Sequence, residues 1–353
     1  MTAVQKSRIG YLPLSPLLDS ACDRRRFLRY AAMRDLSVEV VSKWDDHEVI
    51  VLSPSADVNH WLDAPSDRIL VMDMVDAYLD ERIGLRRSLR GLGKWVVRDA
   101  RRPVFSHLRV LKRLLTRVDA VVCSSEEQAA TIAPFNRNVH PVLDFHSELE
   151  VGPPVINETP GLNIVWEGQI ATLPAIHQVL PALKRLARTI DVRLHLVTSL
   201  AAPRYMNRFV IQRTEELIRD WAVETVLHPW SVEMLYNVAR FCDLAIVPVE
   251  MTNPMAVRKP ENRMRIFWRL GLPVIASATQ AHERALLTAG SRGAVLCSTE
   301  SDWERSLTVF ANRPEVRLEH AKAGQAAALS TYSEESLARR WDDVLRSLPE
   351  RMA

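Results

Sequence analysis

Lys259-Pro260-Glu261-Asn262-Arg263, followed closely by Gly271-Leu272-Pro273-Val274-Ile275-Ala276-Ser277, decides how the rest of the chain is read. The segment reads as loop, helix, turn and buried strand. Pro260 suits the first helical position, because the N–H it lacks would be unpaired there anyway. Gly271 suits the turn that ends the helix. Val274, Ile275 and Ala276 form a short apolar run of the kind that fills a parallel sheet covered on both faces. Arg258, Lys259 and polar side chains thus gather at a helix N-terminus, whose free N–H groups favour an anion.

Working outward, strand-like runs alternate with helical patterns along the whole chain, which argues for α/β with mostly parallel sheets. Strands are expected at 8–12, 38–41, 49–52, 68–72, 120–123 and 139–143, with helices at 24–33, 82–102, 106–117 and 125–133. From Gly152-Pro153-Pro154 to Thr159-Pro160-Gly161 proline and glycine cluster and periodicity stops, which marks a linker. A second series follows, with strands at 163–166, 193–198, 226–228, 244–247, 274–277 and 294–297. Its helices are expected at 174–188, 214–222, 231–241, 260–270, 281–289, 301–311 and 314–331, and a last one at 334–348. A chain of 353 residues is too long for one ordinary core. The expected division is therefore 1–155, 160–333 and a C-terminal helical segment at 334–353. Open α/β sheets present ligands at the carboxyl ends of their strands, so an interdomain cleft is the expected ligand site.

Bulk composition narrows the classes. Hydrophobic content of 47% and charged content of 25% suit a folded globular chain. The net charge of +3 supplies no global field for nucleic acid, and no aromatic-basic RNA motif or zinc-finger spacing is present. Cys22, Cys123, Cys242 and Cys297 lie far apart without metal-ligand spacing, which reads as reduced thiols in a cytoplasmic protein. The first residues lack an apolar signal core, and no run approaches the roughly 20 apolar residues of a spanning helix, so any membrane contact is expected to be peripheral. P-loop, dinucleotide-fingerprint and nucleophile-elbow motifs are all missing.

Several segments of the second half resemble GT-B glycosyltransferases of the family 4-like group. Arg258-Lys259, Asn262-Arg263 and Gly271-Leu272-Pro273 resemble that family's donor-binding segment. Phe241-Cys242-Asp243-Leu244-Ala245-Ile246-Val247-Pro248 resembles the strand before it, and Asn163-Ile164-Val165-Trp166-Glu167-Gly168-Gln169 the first strand and turn of the nucleotide-binding domain. His228-Pro229-Trp230 stands where the base pocket is often lined. The resemblance implies two Rossmann-like domains facing a cleft, with the final helix, carrying Trp341, crossing back to the first. It also implies a nucleotide-sugar donor held by Asn262, Arg263, Glu261, Glu250, Gly168, Gln169 and His228. Fixed cations at the leaving diphosphate lower the barrier to transfer, and Lys259 is the first candidate for this, Arg258 the second. One position departs from the family. Its ribose-binding Glu falls on Ile266, which accepts no hydrogen bond; Glu261 is close in sequence but on a different helix face, and Glu250, in the loop before Lys259, could substitute.

In such enzymes the first domain takes the acceptor. Its first loop here, Ile9-Gly10-Tyr11-Leu12-Pro13, lacks the usual paired glycines. Asp23 fits a helix N-cap, and Arg24, Arg25 and Arg26 would then crowd the positive helix end, which suggests a phosphate or acidic sugar nearby or simply surface arginines. Asp73 and Asp76 end a buried strand; one could serve as general base in an inverting enzyme, or cap the next helix. Ser125 with Gln128 reads as a capping box without chemistry. His146, with Asp144, stands where the chain turns toward the linker, on the acceptor side. From Arg82 to Arg117 arginines and lysines cover one helical face and leucines another, a pattern suited to an anionic membrane surface or to a helix packed on the sheet.

The combined expectation is a metal-independent hexosyltransferase-type enzyme without a cofactor. It would move a sugar from a nucleotide-sugar to a saccharide, lipid-linked acceptor for a surface polysaccharide. A nucleotide-sugar 2-epimerase and a non-catalytic glycan- or partner-binding subunit of the same fold are the alternatives. The expected location is cytoplasmic, at or near the inner membrane face.

Overall fold

The computed structural model describes residues 8–44, 47–56, 58–80, 107–154, 161–204, 210–291 and 295–349. The expected 82–102 helix and most of the linker lie outside these residues. The chain divides into two compact units. The first is Met1–Phe145 with Arg258–Pro260 and Glu334–Ala353; the second is His146–Val257 with Glu261–Ser333.

Among the described residues, the first unit holds β1 (Ile9–Leu12), β2 (Val38–Val40), β3 (Val49–Leu52), β4 (Ile69–Met74), β5 (Ala120–Cys123) and β6 (Val139–Pro141). They form one parallel sheet in the order β2-β1-β3-β4-β5-β6. Every residue of β3, β4 and β5 is buried, as the apolar runs of β3 and β5 require, and β4 buries Asp73 among its apolar residues. Leu111, Leu114 and Leu115 of the His107–Arg117 helix join this core beside Trp61, Leu70 and Val121. The apolar face of that helix is therefore spent on packing, and only its basic face is left for a surface. The Glu334–Arg346 helix also belongs to this unit. Its Trp341 stacks on Tyr30 at 5.7 Å and meets Phe27 edge-on at 5.4 Å.

The second unit holds β7 (Leu162–Glu167), β8 (Val192–Thr198), β9 (Ala201–Arg204), β10 (Val210–Arg213), β11 (Glu224–Pro229), β12 (Leu244–Val247), β13 (Val274–Ser277) and β14 (Leu296–Cys297). The main sheet is parallel, in the order β11-β8-β7-β12-β13-β14. This is the doubly wound order, in which the chain works outward from β7 and then starts again beside it at β12. The switch point between β7 and β12 is where such a sheet takes its ligand.

Four local expectations need correction. The 24–33 helix is two helices, Ala21–Arg25 and Phe27–Met33, broken at Arg26 with φ −131° and ψ −122°. Its N-cap is Ser20, whose hydroxyl accepts from Asp23 N–H, so Asp23 is not the cap. The expected 174–188 helix is a 3-10 stretch, Ile170–Gln178, followed by a short α-helix, Leu180–Leu186. Pro260 is not the first helical residue: the helix is Asn262–Arg269, and Glu261 stands at its N-cap. Four elements were also not expected: the Val58–Leu62 and Pro254–Val257 helices, the 3-10 turn Tyr78–Asp80 and the antiparallel β9–β10 hairpin.

Gly271 does end its helix as expected. Gly271 N–H donates to Trp268 O at 3.0 Å and Leu272 N–H to Phe267 O at 2.9 Å, the paired bonds of a Schellman turn. Its φ of +81° and the Pro153 carbonyl 2.6 Å from where a Cβ would stand leave only glycine there. Arg269 Nε donates to the Leu149 carbonyl at 2.6 Å, which ties the end of the same helix to the start of this unit.

Candidate donor-handling clusters

In the first unit the switch point lies between β1 and β3. The loop after β1 offers the N–H groups of Leu14 and Ser15, and both donate to the Asp23 carboxylate, at 2.8 and 2.9 Å. Tyr11 Oη and Ser20 Oγ donate to it as well, at 2.7 and 2.6 Å. Burial opposes the Asp23 charge, but these hydrogen bonds outweigh it and hold the carboxyl below its ordinary range. Asp23 is wholly buried and does not meet an acceptor. The anion that this loop can bind is already supplied by the chain, and Arg24 Nε donates to the Asp19 carbonyl at 3.0 Å.

Arg26 explains the break between the two helices. Its guanidinium is fully buried and donates to Asp73 at 2.6–2.9 Å, to Asp144 Oδ1 at 2.8 Å and to the Val142 carbonyl at 2.9 Å. Burial works against its charge, yet Asp73 and Asp144 keep it protonated. Asp73, 1% exposed, is thereby committed as the counter-ion of Arg26 and cannot reach an acceptor hydroxyl as a base. Arg26 Nη1 also donates to Ser124 Oγ at 3.3 Å, so the knot ties together the carboxyl ends of β4, β5 and β6.

Asp76 has a different setting. Its Oδ1 lies 3.0 Å from Lys259 Nζ, and Arg258 pairs with Asp80. The Arg258 carbonyl accepts from Ser125 Oγ at 3.0 Å and from Gln128 Nε2 at 3.4 Å. Ser124 Oγ donates to the Val75 carbonyl at 3.1 Å. Thus the capping pair Ser125 and Gln128, expected to do no more than start a helix, also fixes the backbone that carries both cations. Asp80 was not anticipated; the signal available was a second carboxylate one helical turn beyond Asp76.

In the second unit Glu167, Gly168 and Gln169 follow β7, at the switch point. A Cβ on Gly168 would meet the Trp166 ring at 2.6 Å, so only glycine allows this turn. Arg263 Nη1 donates to the Glu167 carbonyl at 3.4 Å, and Trp230 Nε1 to Glu167 Oε1 at 2.9 Å. Burial pulls the Arg263 guanidinium below its ordinary value, with Glu167 partly offsetting. The loop after β12 is clamped: Val249 N–H donates to Ser277 Oγ at 2.9 Å, and Gln178 Nε2 to the Val249 carbonyl at 3.0 Å. Glu250, one residue on, is exposed and accepts from Thr252 Oγ1 at 3.2 Å.

The remaining expected donor residues divide. Gln169 is exposed, and its carbonyl accepts from Thr172. Asn262 Oδ1 accepts from Arg265 Nη1 at 3.1 Å. Glu261 is 2% exposed, accepts from Tyr332 Oη at 3.3 Å and lies 3.6 Å from Arg284 Nη2, so its carboxylate is used inside the unit and not on a ribose. Ile266 is core, with 3% exposure. Neither residue can therefore supply the carboxylate the resemblance requires. His228 Nε2 lies 3.0 Å from His195 Nδ1 with the rings stacked, and burial lowers both, His195 to about 4. His146 is buried and belongs to the second unit, not with acceptor-side groups of the first. Among the described residues no group of three or more His, Cys, Asp or Glu is placed to hold a metal ion.

No protein-family profile matches the chain, and neither does any curated protein. Solved structures do match in fold. HepE from Anabaena, in complex with UDP, aligns over 97% of this chain and 100% of its own at TM-score 0.64 and 14% identity. Sucrose-phosphate synthase from Thermosynechococcus elongatus aligns over 85% of this chain and 73% of its own at TM-score 0.56 and 13% identity. For S. aureus TarM, in a complex with UDP and a glycan, the TM-score is 0.57 at 9% identity, over 84% of this chain and 55% of TarM. The chain thus spans about half the length of TarM. These likenesses, with the two parallel sheets, show the GT-B fold.

Proposed function

We propose that this GT-B protein is a glycosyltransferase that moves a sugar from a nucleoside-diphosphate sugar to a saccharide acceptor. The observation that carries the reading is the switch point of the second unit. There the glycine-only turn at Gly168, the Arg263 guanidinium and the clamped loop leading to Glu250 stand together at the carboxyl ends of β7, β12 and β13. In the reading proposed here Glu250, exposed after β12, meets the ribose in place of the missing family Glu. Lys259 and Arg258 supply positive charge to the departing diphosphate, where negative charge accumulates as the glycosidic bond breaks. The UDP complexes of HepE and TarM support a uridine donor. The family 4-like assignment rests on the Lys259 to Ser277 segment. A lipid-linked acceptor and an anionic membrane surface rest on the basic residues from Arg82 to Arg117; Arg109 and Arg113 are exposed on the described part.

A panel of nucleotides and nucleotide-sugars in thermal unfolding tests the reading. One nucleotide class should raise the midpoint by a few degrees, since ligand at about 100 times its Kd adds about 2.7 kcal/mol. Lys259→Ala should shrink the shift, and Glu250→Gln should shrink it for the same nucleotides while leaving any shift from inorganic pyrophosphate, which has no ribose, unchanged. No shift with any nucleotide would favour a non-catalytic subunit of the same fold. The buried Ile266 and the already paired Lys259 are the observations on that side.

A further inference from the structure

The two cations assigned to the diphosphate are not idle in the free protein. Lys259 faces Asp76 and Arg258 faces Asp80, so two positive and two negative groups cancel. Both carboxylates follow β4, and Asp80 ends the 3-10 turn Tyr78–Asp80. The backbone is tied on each side of the pairing, at Val75 by Ser124 and at Arg258 by Ser125 and Gln128. Chance pairs on a surface join two free side chains. Here the fold itself brings the partners together.

The two pairs differ in how they can open. The Lys259 and Asp76 side chains are 44% and 35% exposed, so water can replace either partner at little cost. Asp80 is only 9% exposed, and separating it from Arg258 would strand a nearly buried carboxylate. We propose that Asp76 is an internal counter-ion that holds Lys259 in the free protein and gives it up to the diphosphate of a bound nucleotide, while Arg258–Asp80 stays closed as an anchor. A diphosphate outcompetes a single carboxylate because it brings more charge and more acceptor oxygens to one ammonium. Binding of the donor then uncovers the Asp76 carboxylate, which makes that group available only when a donor is present. The inference rests on the donor reading of Lys259 given above.

Calorimetric titration of UDP, with GDP, ADP and inorganic pyrophosphate beside it, tests the exchange in the wild type, Asp76→Asn, Lys259→Ala and the double variant. Removing the competitor should tighten UDP binding by about two- to fivefold, the range a half-exposed ion pair spans. Lys259→Ala should weaken binding, and the double variant should match Lys259→Ala, because no ammonium is left to compete for. A purely structural Asp76 predicts weaker binding in Asp76→Asn, and that result overturns the proposal. So does tightening that persists in the Lys259→Ala background, which would mark a general charge effect. If none of the four probes binds the wild type or any variant, the donor reading itself falls and takes this inference with it.

Discussion

His282 shows how much one buried side chain sets. It is the third residue of the Gln280–Thr288 helix, where Thr279 Oγ1 accepts from its N–H, and its Nδ1 lies 2.8 Å from the Ser277 carbonyl. Burial pushes its pKa from 6.5 down to about 4, opposed by the Ser277 carbonyl and assisted by Arg263. The unfolded chain takes up this proton near 6.5, while the folded chain resists until about 4. Between those values the unfolded state holds more protons, so stability falls as pH drops and the histidine adds no slope above that window. By pH 4 the deficit is about 3 kcal/mol. His282→Asn, whose amide can donate to the same carbonyl, should flatten the stability profile between pH 6.5 and 4 in denaturant titrations. An unchanged slope would show that the imidazole charges freely in the fold. His282 also marks what a sequence does not yield at this scale. The residue types at Asp23, Arg26, Asp76 and Lys259 could be read in advance, but their partners lie far along the chain. Asp23 therefore looked like a helix cap and Asp73 like a base, until Arg26 and the β1 loop were seen to hold them.

At the scale of elements, packing overrides propensity where two helices meet. The Asn262–Arg269 and Pro314–Leu329 helices pack together, and a Cβ on Gly324 would stand 2.3 Å from Trp268 Cδ1. Gly→Ala inside a helix ordinarily stabilises by about 0.5–1 kcal/mol. Here Trp268 is buried, and overpacking costs about 1–3 kcal/mol, so the sign reverses. Gly324→Ala should lose about 1–2 kcal/mol in urea unfolding, and a gain would mean that the tryptophan has room to move. The strands were legible for the same reason that the helices touch. Val49–Leu52, Ala120–Cys123, Leu244–Val247 and Val274–Ser277 are buried throughout and carry unbroken apolar runs, so their bounds follow from composition. The β9–β10 hairpin carries no such signal, because its strands include Ala201, Ala202 and Pro203 and leave Ile211 70% exposed. The break at Arg26 was illegible because its cause is tertiary: the guanidinium must reach Asp73 and Asp144, and a continuous helix would carry it elsewhere.

For the whole molecule the notable fact is that sequence order and compact units do not coincide. The chain leaves the first unit at Phe145, rejoins it for Arg258–Pro260 and again at Glu334. The last helix is therefore core material for strands laid down at the start of the chain. Trp341 is fully buried against Phe27 and Tyr30, and around it Arg34 bonds Asp342 at 2.8 Å and Arg29 bonds Glu334 at 2.7 Å. The ion pairs are partly exposed and add little, whereas removing a buried tryptophan side chain costs about 3–5 kcal/mol. Trp341→Ala should accordingly act at a distance in sequence. Hydrogen exchange should quicken in β1 and in the Phe27–Met33 helix, more than 300 residues upstream. Protection in β7, β8, β12 and β13 should hold, because none of those strands belongs to the unit that Trp341 completes. Equal loss in both units would show that they unfold as one body, and loss confined to 334–346 would show that the helix is an appendage and not part of the first core.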